Sequence, residues 1–207
     1  MARRRGPLDI GLLDMVVAHV YNSDKDLVHI QEMYKHLEDN YDFSEDQLKI
    51  HSQILGQKEP NWKHDLRNLL SNQWPNWRIV NPVQGYWSRC ADVPNKGEDY
   101  FEKLFDTMVK QASRYSRTKQ NLSIHRTKNS TLRITTYTSE KINFETNQGK
   151  LYDWTKTPAI KKISHIYYCG GVIRVGKLHR YRVKESAMIH LCSEISTDDE
   201  SIFLRNS

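Results

Sequence analysis

The stretch Pro60-Asn-Trp-Lys-His-Asp-Leu-Arg-Asn-Leu-Leu70, followed by Trp77-Arg-Ile-Val80, Asn81-Pro-Val-Gln-Gly85 and Tyr86-Trp-Ser-Arg89, decides how the front of the chain folds. Trp62, Leu66, Leu69 and Leu70 recur at helical spacing and predict one apolar face, which leaves Lys63, His64, Arg67 and Asn68 on the outer face. Two short runs of β-prone residues then flank a turn built from residues that tolerate turn geometry, so a hairpin is expected after the helix.

Toward the N-terminus, Leu8, Leu12, Leu13, Met15, Val16, Val17, Val20 and Tyr21 predict an apolar helix face that ends near Asn22-Ser23. Asp26 reads as the N-cap of a second helix, with Leu27, Ile30, Met33, Tyr34 and Leu37 as its buried stripe. Ser44-Glu-Asp-Gln47 matches a capping box, in which the Ser and Gln side chains satisfy each other's backbone amides, and opens a third short helix. Short helices followed by a two-stranded wing make a winged helix.

These residues resemble a known family. The order of elements, Pro60-Asn-Trp62 at the start of a helix running through Leu66-Arg67-Asn68, and Gly85-Tyr-Trp87 in the second wing strand look like the N-terminal winged-helix domain of many bacterial restriction endonucleases, including Mrr-type and HNH-type enzymes. The resemblance covers about the first ninety residues and implies contact with duplex DNA beside a separate catalytic or modified-base-reading domain. On that carry-over Lys63, His64, Arg67 and Asn68 would enter or border the major groove, and Arg78 and Arg89 would touch phosphate.

The second half differs in charge. Splitting the chain after Gly97 puts 12 basic and 13 acidic residues before the cut and 19 and 12 after it, so the halves carry −1 and +7. Two domains are therefore expected, 1–92 and 98–207, joined by the turn-rich Ala91-Asp-Val-Pro-Asn-Lys-Gly97. From Lys103 to Lys184 eighteen Lys or Arg face four acids (Asp106, Glu140, Glu145 and Asp153), a local charge of 18 − 4 = +14 against +6 for the whole chain. Such a region repels itself unless a polyanion neutralises it, and nucleic acid is the commonest soluble one. Candidate DNA contacts here are Arg114, Arg117, Lys119, Arg126, Lys128, Arg133, Arg174, Lys177, Arg180 and Arg182.

A helix is expected over Tyr100 to Lys110, its apolar stripe fading near Ser113 into a polar, basic connection from Arg114 to Lys128. Alternation predicts strands at Leu132 to Thr138 and Lys141 to Thr146, with Ile163 to Tyr168 a third candidate. Gly170-Gly171 should turn the chain, and Val172 to Val175 and Leu178 to Val183 read as a hairpin. Ser186 to Cys192 fits a helix or a strand equally, and the tail from Ser196 reads as frayed. The fold class is α+β, a winged helix-turn-helix followed by a basic, mainly antiparallel β domain with flanking helices. Tyr152, Trp154 and Tyr167 are candidates to stack an unpaired or flipped base.

A Mg²⁺-dependent nuclease of the common restriction type needs a carboxylate followed by an Asp/Glu-x-Lys triplet, the acids holding metal and the lysine orienting water. No such triplet occurs; Glu140, Glu145 and Lys150 are the nearest approximation. Cys90, Cys169 and Cys192 form no CxxC pair and supply neither zinc ligation nor a disulfide framework, which points to a reducing compartment. A metal-free mechanism would draw on histidine, and His165 and His179, which flank Gly170-Gly171, are the candidates. No apolar run approaches the roughly 18 residues of a membrane span, and Asp9 and Asp14 interrupt a signal-peptide pattern, so a cytoplasmic protein of a prokaryote or phage is expected.

The leading expectation is a restriction-type protein that recognises and cleaves double-stranded DNA, and palindromic targets would favour a homodimer. The alternatives are a non-catalytic reader or regulator and an RNA-directed nuclease or toxin.

Overall fold

The computed structural model describes residues 8–51, 59–123, 131–174, 187–188, 191–192, 195–197 and 201–204. The chain has helices and mainly antiparallel sheets, an α+β arrangement. Its contacts divide it into two compact units, one of residues 1–81 and 85–90, the other of 82–84 and 91–207.

The first unit runs α1 (Ile10–Asn22), β1 (Val28–His29), α2 (Ile30–Asn40), α3 (Glu45–Leu48), β2 (Ile50–His51), β3 (Glu59–Pro60), α4 (Asn61–Ser71), β4 (Ile79–Val83) and β5 (Tyr86–Arg89). Leu12, Leu13, Val16, Val17 and Val20 of α1, Met33, Tyr34 and Leu37 of α2, and Trp62, Leu66, Leu69 and Leu70 of α4 meet in one core. Each such side chain contributes about 1.5–3 kcal/mol by leaving water. Leu8 and Tyr21, expected on the buried face, are exposed.

The second helix starts at Ile30, capped by His29, and not after Asp26. Val28 and His29 pair with Trp87 and Tyr86 of β5, so the sheet claims the residues that a helix would have used. Gly85 closes the turn between β4 and β5 at φ +80°, a conformation that a side chain would strain, and its carbonyl accepts the Ile30 amide at 2.9 Å. Buried Gln73 locks α4 to β4: its Nε2 donates to the Leu70 and Ile79 carbonyls at 3.1 and 3.0 Å, while its Oε1 accepts the Arg78 and Ile79 amides at 3.0 and 3.1 Å. The capping box at Ser44 and Gln47 is formed as its sequence requires.

The second unit contains α5 (Glu98–Thr118), β6 (Leu122–Ser123), β7 (Thr131–Tyr137), β8 (Lys141–Thr146), β9 (Leu151–Thr155), α6 (Lys156–Tyr168), β10 (Val172–Arg174), β11 (Ile195–Thr197) and β12 (Ser201–Leu204). Strands β6 to β9 form an antiparallel meander, and α5 packs on β7 and β8 and buries Phe101, Phe105, Met108 and Ala112. Four sequence expectations change here. Helix α5 continues past Ser113 to Thr118, because half-buried Tyr115 extends the Phe105, Met108, Ala112 stripe and Arg117 in the last turn suits the helix's negative end. Ile163 to Tyr168 is helical, since Ala159, Ile160, Ile163, Ile166 and Tyr167 place the apolar side chains at helical spacing. Strand β9 went unread. The tail is paired, β12 with β10 and β11, because Ser201-Ile-Phe-Leu204 is strand-forming.

Gly170 and Gly171, both at positive φ, end α6 as a turn should, donating to the Tyr167 and Ile166 carbonyls at 3.0 Å. Ala187, Met188, Leu191 and Cys192 are buried, and the Cys192 amide reaches the Met188 carbonyl at 2.8 Å, the helical alternative. The expected strand over Leu178 to Val183 lies outside the described residues.

Candidate nucleic-acid interface

The outer face of α4 carries Lys63, His64, Arg67 and Asn68, all half-buried. Lys63 Nζ lies 2.9 Å from Glu38 and 5.0 Å from the ring centres of both Tyr34 and Trp62. The Arg67 guanidinium is forked onto Glu59 and donates to Tyr34 Oη at 3.1 Å; the Glu59 carboxylate makes the guanidinium hold its proton yet more firmly than usual. Arg78 pairs with Asp14, and Arg89 donates to the Ser23 carbonyl at 2.9 Å. The cations that the sequence assigned to duplex contact in this unit are thus held by their own fold.

The solvent face of α5 is different. Lys103, Lys110, Arg114 and Arg117 recur at i, i+7, i+11 and i+14, within an arc of about 60° at 100° per residue. They are exposed, opposite the buried Phe101, Phe105, Met108 and Ala112, and Lys119 is exposed just beyond the helix. Four turns carry this stripe over about 21 Å. Asp106 flanks it, yet among the described residues none of the five cations is ion-paired; Arg117 Nε merely returns to the Ser113 carbonyl at 3.4 Å. The sequence places Lys103 and Lys110 in this helix but does not mark them as DNA contacts; their spacing with Arg114 and Arg117 is the signal that does.

The polar face of the meander is self-compensated. Arg133 donates to Glu145 at 2.7 Å, Lys141 pairs with Asp153 at 3.2 Å, and Asn143 donates to Thr136 Oγ1 at 2.6 Å. Arg133 keeps a 66% exposed side chain and so still meets solvent. Arg174 lies in β10, with its backbone opposite Ser201. Arg126, Lys128, Lys177, His179, Arg180 and Arg182 lie outside the described residues.

Of the base-stacking candidates, Trp154 is 5% and Tyr167 9% exposed, so both serve the core. Tyr167 Oη donates to the Pro94 carbonyl at 2.8 Å, and Trp154 lies opposite Ile142. The letters alone left both open as stacking platforms or core rings, because the two uses call for the same residue types, and burial selects the core. Tyr152 is half-buried and parallel to Phe144 at 6.0 Å, with Lys150 Nζ 5.3 Å from its ring centre.

The candidate acidic centre does not assemble from these residues. Glu140 precedes β8 and Glu145 lies near its far end, about 16 Å apart at roughly 3.3 Å per strand residue, too far for one Mg²⁺. Glu145 is engaged by Arg133, and among the described residues no three His, Cys, Asp or Glu converge as metal ligands. His165, on α6, has its pKa pushed down to about 4, first by burial and then by Lys162 and Lys161, and its Nε2 lies 3.7 Å from Cys169 Sγ. It is neutral at pH 7 and packed within the helix layer. No helix among the described residues is long and apolar enough to cross a membrane.

Comparison with protein-family models, curated proteins and solved structures finds no match to this chain. The functional reading therefore rests on the residues and their geometry.

Proposed function

We propose that this chain is a DNA-binding protein that grips a duplex through phosphate contacts from the solvent face of α5, with the first unit acting as a winged-helix module. The observation that carries the reading is the row of exposed cations, Lys103, Lys110, Arg114, Arg117 and Lys119, without acid partners among the described residues. The order α1, β1, α2, α4, β4, β5, with β1 paired to β5, supports the winged-helix half. A non-catalytic regulator is the form of this function that the geometry favours. Cleavage of the restriction type would need its acidic centre completed from residues outside the described ones.

Binding of a labelled duplex at rising NaCl tests it. With four or five phosphates neutralised, log K should fall against log salt with a slope between about −3.6 and −4.5. A complex insensitive to salt, or none in dilute buffer, overturns the reading. Adding Mg²⁺ to plain and modified DNA then separates regulator from endonuclease, intact DNA fitting the first and cut DNA the second.

A further inference from the structure

We propose that the cleft at the end of α5 seats one unpaired nucleotide of the bound DNA, an inference that rests on the DNA-binding reading above. The cleft encloses about 620 Å³ and is lined by Tyr115, Ser116, Lys119, Asn121, Arg133 and Thr135. That lies within the size range of small-ligand pockets.

Two backbone irregularities build it. Lys119 caps α5 at φ 53°, where helices usually place Gly or Asn, and it is the one non-glycine residue at positive φ among the described residues. On the facing strand the β7–β8 register slips between Ile134 and Thr136, which makes Thr135 the extra residue of a bulge. Bulges concentrate next to functional sites, where they re-aim a side chain. Here the re-aimed residue and the αL lysine line the same cleft.

The lining matches the parts of a nucleotide. The hydroxyls of Tyr115, Ser116 and Thr135 and the amide of Asn121 have no hydrogen-bond partner among the described residues. An Asn amide can donate to and accept from a base edge, and a Tyr ring offers a face for stacking. Lys119, exposed and without an acid partner among the described residues, supplies positive charge for phosphate and continues the cationic row of α5 into the cleft. In a duplex a base keeps its Watson–Crick edge paired and its faces stacked on its neighbours, so stacking on the Tyr115 ring with a Watson–Crick-edge contact requires an unpaired base.

The test compares a blunt duplex with the same duplex carrying a short single-stranded overhang or one bulged nucleotide, by fluorescence anisotropy. Stacking and edge contacts to one base should tighten binding of the unpaired forms by about tenfold. Asn121→Ala and Thr135→Ala should erase that preference and leave blunt-duplex affinity unchanged. Lys119→Gly should raise the melting temperature, because glycine suits the αL position, while weakening binding of the overhang. Salt-dependent duplex binding with no preference for unpaired nucleotides, or a preference that survives Asn121→Ala, overturns this inference alone. Absence of binding to any DNA removes it together with the reading on which it rests.

Discussion

Helices α4 and α5 carry similar materials and use them differently. Both are amphipathic, both bury aromatic and aliphatic side chains, and both place Lys and Arg outward. On α4 the cations meet Glu38 and Glu59, so their charge is spent inside the first unit. On α5 the row from Lys110 to Arg117 faces solvent with no acid across from it among the described residues. The difference teaches that a cation's sequence position says less about its availability than whether the fold brings an acid opposite it.

The sharpest way to break this contrast is to reverse the α5 charges. Lys110→Glu, Arg114→Glu and Arg117→Glu together should lower duplex affinity at low salt by at least about a hundredfold, counting roughly 1 kcal/mol per lost phosphate contact and adding repulsion. The salt slope should shrink by about 2.7. The melting temperature should barely move, since all three side chains are exposed. Lys63→Ala should leave affinity within about twofold. The opposite ranking in a side-by-side titration would make α4 the binding helix.

Acid should loosen the support beneath α5 through α6, against which it packs. His165 has a folded pKa of about 4 against an ordinary 6.5, so below pH 6.5 the unfolded chain takes up a proton that the folded chain refuses. Stability from this group is intact above pH 6.5 and is lost as pH falls toward 4. At pH 5 the loss should be about 2 kcal/mol, at 1.36 kcal/mol per pH unit. Urea midpoints at pH 7 and pH 5 should converge for His165→Gln relative to the parent. An equal pH response in both proteins would mean that His165 is as protonatable folded as unfolded.

What the sequence made legible follows from range. The α4 stripe, the capping box at Ser44 and the turn at Gly85 are set by neighbours within a few residues, and each appears where its letters place it. The start of α2 was misread because Val28 and His29 answer to Trp87 and Tyr86, nearly sixty residues away. Ile163 to Tyr168 misled for another reason: a β-branched and aromatic run looks like a strand until Ala159 and Ile160 extend its period. At the candidate site the basic excess was legible but its distribution was not, because pairs such as Arg133 with Glu145 and Arg67 with Glu59 form only across folded strands and helices. The cleft was invisible for the same reason, since a bulge at Thr135 has no local letter code.

The paired state of α4 can be probed on the stability axis. Arg67→Ala should cost about 1–3 kcal/mol in urea unfolding, because it removes the forked guanidinium from the Glu59 carboxylate, 22% exposed, and the donor to Tyr34 Oη. Arg114→Ala on α5, whose side chain pairs with no acid among the described residues, should change stability by less than about 0.5 kcal/mol. Equal costs would erase the distinction between a structural and an available cation.

The smallest effect asks whether pairing alone separates the two helices. Glu38→Gln removes the acid at 2.9 Å from Lys63 while keeping its size, and an exposed ion pair of this kind contributes at most about 1 kcal/mol, so the fold should hold. If the α4 face borders the duplex as the winged-helix reading has it, the released ammonium gains a phosphate. The salt slope should then steepen by about 0.9 and affinity should rise up to about fivefold. An unchanged slope would mean that α4 stands away from DNA even with its charge released, so that position, and not the acid opposite, sets the two helices apart.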